Sequence, residues 1–192
     1  MLSNLKQTEK KLKGVNLNGT VVRDSTVRWT PPMQDWVKLN VDGAFSRTHG
    51  LGCGGLLRRS DGSFVEGFMF HLNQGDSLTA ELWALVLGLK LAWQRGYRKV
   101  IVETDASEII HLLERKDISQ HADFILIEEA KSYMCRTWDL ELVHISRTAN
   151  TVADALAKHA IGSVMGYQPI LVPSAFMLTM LHSDCNLFSD TS

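Results

Sequence analysis

Four acidic residues stand where the sequence predicts that regular elements begin or end. Asp42 lies in a strand that alternates apolar and polar residues, Glu81 near the start of a long helix, Asp105 directly after a buried strand, and Asp154 near the start of a late helix. Carboxylates brought together raise one another's pKa unless cations neutralise them. Hard oxygen ligands in that number select Mg²⁺ or Mn²⁺, and two such ions about 4 Å apart support in-line phosphoryl displacement.

Each acid also has a purely structural interpretation. Asp42 precedes a glycine, so it could belong to a turn or face solvent. Glu81 and Asp154 could be ordinary acids favoured by a helix N-terminal dipole, with Asn150 capping the late helix. Asp105 opens a good capping box with Ser107 and Glu108 in the next turn. Taken singly, these interpretations match or outweigh a functional one. A shared site is favoured by the predicted topology, which can bring all four to one edge of a sheet.

The elements that must position these acids follow an α/β order, βββαβααβα. Alternation and turn signals predict three antiparallel strands, and apolar spacing at i, i+4, i+7 and i+11 from Leu78 to Trp93 predicts an amphipathic helix ending at Gly96. A strand after a long helix implies a crossover and parallel pairing with the first strand. The predicted strands are 36–45, 52–58, 64–71, 99–104 and 139–145, and the later helices are 106–115, 121–134 and 150–160.

Changes in composition divide the chain into three parts. Residues 1–28 are polar and lysine-containing, which predicts a linker or loosely structured basic arm. Trp29-Thr30-Pro31-Pro32 marks the edge of a domain that extends to Ile161. The apolar periodicity is lost over 162–192, which could pack as an extension, bind a partner or form a disordered terminus.

The overall composition excludes several classes of protein. A net charge of -1 provides no global field toward nucleic acid, so a polyanion would need local basic patches or bound metal. Three widely spaced cysteines without a CxxC pair fit a reducing compartment and argue against structural zinc. No signal-peptide pattern or membrane-length apolar run is present, so we expect a soluble intracellular protein.

Four short motifs in order resemble those of type 1 ribonuclease H. They are Val41-Asp42-Gly43-Ala44, Thr79-Ala80-Glu81, Glu103-Thr104-Asp105-Ala106 and Asn150-Thr151-Val152-Ala153-Asp154. The resemblance covers about residues 36–161 and is greatest to the ribonuclease H domains of plant retroelement-derived proteins. It implies the ribonuclease H-like fold, a five-stranded mixed sheet flanked by helices.

The resemblance further implies an endonuclease that cleaves the RNA strand of RNA–DNA hybrids with two Mg²⁺ ions, for which Mn²⁺ can substitute. By position, the metal ligands would be Asp42, Glu81, Asp105 and Asp154. Groups near Gly43, Ala44, Ser77 and Ser107 would read the 2′-hydroxyls of the RNA strand. The partner would be the hybrid, with no membrane, and we expect a monomer.

The sequence departs from the family pattern at the position of a product-release histidine. His144 stands ten residues before Asp154 and at a predicted strand end, where it could simply be a structural histidine, whereas Arg147 lies in the loop and could serve instead. No long basic handle occurs between residues 115 and 138, so hybrid affinity is expected to be modest and salt-sensitive.

Two other functions fit part of the pattern. One is a retroelement-derived domain that binds nucleic acid or protein without cutting. The other is an aspartate-nucleophile phosphatase using Val41-Asp42-Gly43. That chemistry usually needs a second acid two residues after the nucleophile, where this chain has Ala44.

Overall fold

A six-stranded mixed sheet is built around its longest strand, β1. The computed structural model describes residues 28–185 of the 192. The strands are β1 (Val37–Ser46), β2 (Gly50–Arg58), β3 (Phe64–Leu72), β4 (Lys99–Thr104), β5 (Asp139–His144) and β6 (Gly166–Ile170). The helices are α1 (Ser77–Gln94), α2 (Ser107–Glu114), α3 (Phe124–Met134), α4 (Thr151–Ala160) and α5 (Ala175–Cys185), with a 3₁₀ turn at Arg147–Ala149.

The strand order is β5-β4-β1-β2-β3-β6. β1 pairs antiparallel with β2 and parallel with β4, and β4 pairs parallel with β5, so the predicted crossover through α1 is confirmed. The carboxyl ends of β1, β4 and β5 therefore meet at one edge of the sheet. In α/β proteins this edge is where sites form.

Helices cover both faces of the sheet. Val37, Leu39 and Val41 of β1 share a core with α1, α2 and α3. On the opposite face, Leu56 of β2 packs against residues of α4 and α5. The polar residues of β1, which the alternation would allow to face water, are consequently buried as well. Such a strand needs internal partners for its polar side chains.

Small residues let two helices approach the sheet closely. A Cβ at Gly54 of β2 would collide with the backbone of α4 at Ala157, and a Cβ at Gly43 of β1 would collide with the backbone of α1 at Glu81. The glycines of β1 and β2 and the small residue Ala157 thus permit the close approach. It brings Asp154 and Glu81 toward β1.

The first helix begins at a capping aspartate and ends just before the predicted glycine. Asp76 is the N-cap of α1, and its Oδ1 accepts a hydrogen bond from the backbone N–H of Thr79 at 2.9 Å. Gly96, just beyond the helix, has φ of 81°, a conformation that favours glycine. Later helices are shorter than predicted. α3 begins at Phe124 and not at 121, because His121 lies in a turn and its Nδ1 accepts the N–H of Asp123 at 3.1 Å.

Residues after 161 continue the fold. The five predicted strands are present, and a sixth, β6, pairs antiparallel with the edge of β3, where Pro169 lies opposite Phe68. Proline is tolerated at a sheet edge but obscures the strand pattern in the sequence. Met177 and Leu181 of α5 are buried against Leu56. Of the three possibilities left open for 162–192, packing as an extension holds through 185.

Some predictions lie outside the described part of the chain. Of the basic arm predicted for 1–28, only Arg28 is described, and 186–192 are likewise outside. The predicted domain boundaries stay predictions. Within residues 28–185, no helix has the length and apolarity that a bilayer crossing requires.

Candidate active site

Asp42 is a buried acid near the carboxyl end of β1. Its residue is only 3% exposed, so neither the turn nor the solvent-facing interpretation holds. It pairs with Gly54 of β2 in the sheet, on the side where α4 approaches. Asp105 and Glu81 lie close enough for their charges to raise the pKa of its carboxyl group. Three of the four predicted acids are therefore brought together.

Glu81 is oriented by the backbone of β1. The N–H of Gly43 donates a hydrogen bond to Glu81 Oε2 at 3.0 Å. This contact requires the close approach of α1 that glycine at position 43 permits. A carboxylate fixed by a backbone amide has a defined direction, and Glu81 is thus aimed at the Asp42 end of the strand.

Asp105 is oriented by an asparagine and not by helix capping. The N-cap of α2 is Ala106, which makes no side-chain cap bond, so the capping-box interpretation is wrong. Asp105 Oδ1 instead accepts a hydrogen bond from Asn150 Nδ2 at 2.9 Å. Asn150 occupies the cap position of α4 as predicted, yet its side chain does not cap, because the amide also donates to Val41 O at 2.9 Å.

The cluster of Asp42, Glu81 and Asp105, here called the acidic cluster, brings carboxyl groups together in a buried place, and this raises the pKa of two of them. Burial, followed by the charges of Glu81, Asp105 and Asp154, raises the pKa of Asp42 to about 9. Burial and the charge of Asp105 raise the pKa of Glu81 to about 8, against the opposing effects of the Gly43 N–H, Asp42 and Arg147. These carboxyl groups hold protons near neutral pH unless a cation replaces them.

Asp154 differs from the other three acids. Its Oδ1 accepts from Arg147 at 3.1 Å and its Oδ2 from Lys158 at 2.6 Å. Partial burial raises the pKa of Asp154, but the hydrogen bonds and charges of Lys158 and Arg147 outweigh it, so the pKa lies below its ordinary value. Asp154 is ionised and already paired. Both partner side chains are exposed, at 71% for Arg147 and 59% for Lys158, and can move away.

The donor set fits a hard divalent cation, although the donor atoms are not arranged as a finished site. Within residues 28–185, no three His, Cys, Asp or Glu side chains form a ready-made metal-binding group. Asp154 does not join the other three acids, because its carboxylate is bonded to Arg147 and Lys158. Carboxylate oxygens in this number are the ligands that Mg²⁺ and Mn²⁺ prefer.

The remaining predicted site residues are distributed around the acidic cluster. His144 ends β5 as predicted, and its Nε2 lies 3.1 Å from the backbone oxygen of Asp105. Gly43 and Ala44 are half-buried on β1, whereas Ser77 and Ser107 are exposed first residues of α1 and α2. Nothing in the structure tests their roles, so these stay predictions.

Sequence reasoning missed the residues that orient the site. Asn40 and Asn150 are 0% and 1% exposed and link β1 to Asp105, and Lys158 pairs with Asp154. A signal was available for two of them. Asn40 is a polar residue inside a strand that needs both faces covered, and Lys158 stands at i+4 from Asp154 on a helix. For Asn150, the more common role of a cap concealed the other one.

The comparisons with known proteins agree with this architecture. Residues 40–160 match the family described as reverse transcriptase-like. An Arabidopsis thaliana protein named "Putative ribonuclease H protein" is 32% identical over 160 residues, which are 82% of this chain and 26% of that protein. This chain therefore spans about a quarter of that relative's length.

Solved structures share the fold. The N-terminal RNase H domain of a Mycobacterium tuberculosis protein superposes with a TM-score of 0.60 at 22% identity, covering 66% of this chain and 98% of that one. RNase H1 of Halobacterium salinarum gives 0.56 at 22%, covering 67% and 99%. An RNase H1 from compost, in complex with an RNA/DNA hybrid, gives 0.55 at 24%, covering 66% and 96%. Because the family match covers more than half of the chain, the chain belongs to the reverse transcriptase-like family and carries a ribonuclease H-like domain.

Proposed function

We propose that this chain hydrolyses the RNA strand of RNA–DNA hybrids with two divalent cations. The observation that carries the proposal is the acidic cluster, in which burial and like charge raise the pKa of Asp42 and Glu81 at the carboxyl edge of the sheet. A protein retains such repulsion where a bound cation removes it. The hybrid bound to a compost RNase H1 of the same fold supports the choice of substrate.

The residues that would hold the cations are Asp42, Glu81, Asp105 and Asp154. When bound, a pair of Mg²⁺ ions lowers the pKa of an attacking water and stabilises the leaving 3′ oxygen. The chain's own part is to fix the ligands before the substrate arrives. The Gly43 N–H aims Glu81, and the Asn150 amide aims Asp105.

Arg147 and Lys158 would have a second role. They neutralise Asp154 in the free protein, and both are exposed at the edge of the site. If Asp154 were to ligate a cation, the two basic side chains would be available for the phosphates of the hybrid. His144, at the end of β5 against the Asp105 backbone, stands on the same side and is the candidate to assist product release together with Arg147.

Recognition of RNA would rest on the 2′-hydroxyl. Exposed hydroxyls at Ser77 and Ser107, and the half-buried backbone at Gly43 and Ala44, lie at the ends of the elements that carry the acids. Such groups can donate to or accept from a 2′-hydroxyl, which DNA lacks. The described surface has no long basic helix in 115–138, so the affinity should fall with salt.

The decisive experiment is cleavage of a labelled RNA–DNA hybrid in Mg²⁺ by wild type, Asp42→Asn and the control Asp61→Asn. Asp61 is an exposed aspartate in the β2–β3 turn, bonded to Ser63 N. Wild type and the control should cleave only the RNA strand. Asp42→Asn should lose about 1000-fold or more in rate, because a metal site supplies several kcal/mol and each 1.4 kcal/mol is tenfold.

A non-cleaving nucleic-acid-binding domain is the second candidate. Its support is that both carboxylate oxygens of Asp154 are bonded to basic side chains, Arg147 and Lys158. Equal activity of wild type and Asp42→Asn, or none in either, would favour this second function.

Metal binding can be measured separately from turnover. Mn²⁺ should raise the melting temperature of wild type, because a ligand of the folded state stabilises it by mass action, by about 2.7 kcal/mol at 100 times its Kd. Asp105→Asn should respond much less. An equal shift in both proteins would contradict the proposed ligand set.

A further inference from the structure

A buried line of hydrogen bonds connects α5 with the acidic cluster. It runs from Asp184 through Arg58, Asn40 and Asn150 to Asp105. We propose that Arg58, Asn40 and Asn150 are positioning residues through which α5 fixes the orientation of Asp105. The inference rests on the proposed function in that it takes Asp105 as a metal ligand.

Arg58 sets the direction of the whole line. Its side chain is 1% exposed and can only donate hydrogen bonds. One terminal nitrogen donates to Asp184 Oδ2 at 2.6 Å and the other to Asn40 Oδ1 at 2.8 Å. The guanidinium also stacks on Trp29, 3.6 Å from the ring centre. A stacked and ion-paired arginine holds one geometry, so Asn40 must present its oxygen to Arg58.

The orientation of the Asn40 amide, fixed by Arg58, determines which atom of Asn40 faces Asn150. With Oδ1 facing Arg58, Nδ2 faces the other way, where it donates to Glu103 Oε2 at 2.9 Å and to Asn150 Oδ1 at 3.3 Å. Glu103 is itself fixed by Lys38, whose Nζ lies 2.5 Å from Oε1. A flipped Asn40 would place nitrogen against the arginine and oxygen against the carboxylate. The partners on both sides therefore exclude it.

Asn150 connects Asn40 to Asp105 in the acidic cluster. Its Oδ1 is taken by Asn40, so its two amide hydrogens point to Val41 O and Asp105 Oδ1, each at 2.9 Å. One oxygen of Asp105 thus accepts a hydrogen bond from an amide that is itself bonded to β1, and this fixes the orientation of the Asp105 carboxyl relative to the strand. Groups that orient a metal ligand in this way commonly change metal affinity by about 10–100-fold when removed.

The origin of the line lies outside the part of the chain that matches the family. The match ends at residue 160, whereas Asp184 belongs to α5. α5 is seated by Met177 and Leu181 against Leu56, Val152 and Leu156, so it can hold Asp184 in place. The structure thus assigns to this extension a role in the site and not only in covering the sheet.

The test compares Asp184→Ala with Asp184→Asn in the full chain. The asparagine keeps an acceptor oxygen for Arg58 and should preserve the line, whereas alanine should break it. Glu66→Gln serves as the matched control, because Glu66 is also buried and bonds an arginine, Arg95, but has no link to Asn40. Two readouts are used: the NMR resonances of the Asn40 and Asn150 side-chain amides, and Mn²⁺ affinity by calorimetry.

We expect Asp184→Ala to shift the Asn150 amide resonances and to weaken Mn²⁺ binding about 3- to 10-fold. This is less than the roughly 10–100-fold for a group that bonds a metal ligand directly, because Asp184 acts through Arg58, Asn40 and Asn150. In the cleavage assay kcat should fall while KM for the hybrid stays constant. Asp184→Asn and Glu66→Gln should resemble wild type in all of these. Asn150 amide resonances that are unchanged in Asp184→Ala would overturn the proposal.

A second variant covers the case in which Asp184→Ala does not fold. Asn40→Ala interrupts the line between Arg58 and Asn150 without placing a second negative charge beside Glu103, which stays paired with Lys38. It should move the Asn150 amide resonances and weaken Mn²⁺ binding, and unchanged values would overturn the proposal. The two hypotheses fail separately. If the variants show these amide shifts but wild type cleaves no hybrid, the nuclease proposal is refuted and the positioning role stands.

Discussion

Two buried polar clusters lie side by side on the same face of β1 and differ in their charge balance. The first, here called the balanced cluster, consists of Lys38, Asn40, Arg58, Glu103 and Asp184, in which every charge meets its opposite. The second is the acidic cluster, two residues further along the strand, in which carboxyl groups face one another.

The difference shows which cluster is structural and which awaits a ligand. A buried charge is tolerated when it is paired and fully hydrogen-bonded, as in the balanced cluster. Like charges without such partners destabilise the fold, and retention of that arrangement points to function. The balanced cluster also contacts the acidic cluster through the hydrogen bond between Asn40 and Asn150. The paired side chains of the balanced cluster can therefore fix the orientation of side chains in the acidic cluster.

Stability measurements test the difference between the two clusters most directly, because a substitution in each cluster should change the free energy of unfolding in opposite directions. Lys38→Met removes one partner of a buried ion pair and should lower the free energy of unfolding by about 3 kcal/mol or more. Asp42→Asn removes a carboxyl group that must take up a proton to be buried beside Glu81 and Asp105, so it should raise the free energy of unfolding of the metal-free protein by roughly 1–2 kcal/mol. Urea denaturation in EDTA measures both. Changes of the same sign would contradict the assignment.

The pH dependence of stability should come from the acidic cluster. Because the pKa values of Asp42 and Glu81 are raised to about 9 and about 8 in the folded state, that state holds protons the unfolded chain has lost. Metal-free protein should therefore lose stability as pH rises from the ordinary carboxyl range toward 8 to 9. The slope would be at most about 1.4 kcal/mol per pH unit for each proton.

Melting temperatures between pH 5 and 9, with and without Mn²⁺, would measure this slope. Mn²⁺ should flatten it, because a bound cation replaces the protons. Asp42→Asn should reduce it without metal by the share of one proton, since Glu81 keeps its own raised pKa. A slope in Asp42→Asn as steep as in wild type would place its origin elsewhere.

The smallest effect is expected at Asp154, which belongs to the predicted ligand set but is paired with basic side chains, as the acids of the balanced cluster are. Lys158→Ala removes an exposed i,i+4 partner and should lower stability by only about 0.3–0.5 kcal/mol. The same change frees Asp154 Oδ2 and should strengthen Mn²⁺ binding. Calorimetry in low salt would measure it, and weaker binding would show that Lys158 helps to build the site.

Much of the fold could be predicted from local patterns. The strand alternation around Leu39, the heptad-like spacing of α1 and the cap at Asp76 are properties of short segments, and the structure contains all three. β6 could not be predicted, since an edge strand containing Pro169 is stabilised by its pairing with β3 and not by its own pattern.

The acidic residues of the candidate site could be predicted from the sequence, whereas the hydrogen bonds that orient them could not. Asp42, Glu81 and Asp105 follow from motifs and from strand order. Whether Asp105 caps a helix or faces β1 depends on Asn150, which is 45 residues away in sequence. Local capping propensity is worth about 1 kcal/mol, and a tertiary hydrogen bond to a charged group outweighs it.

By itself, the sequence determined which residue types are available, the order of the elements and thereby the edge of the sheet at which the acids would meet. Only the tertiary structure decided which acids are left without cationic partners, and that Asp184 near the chain's end acts on Asp105 through Arg58. The physical reason is that charge balance depends on distances across the fold. Residues far apart along the chain set those distances, and no local pattern records them.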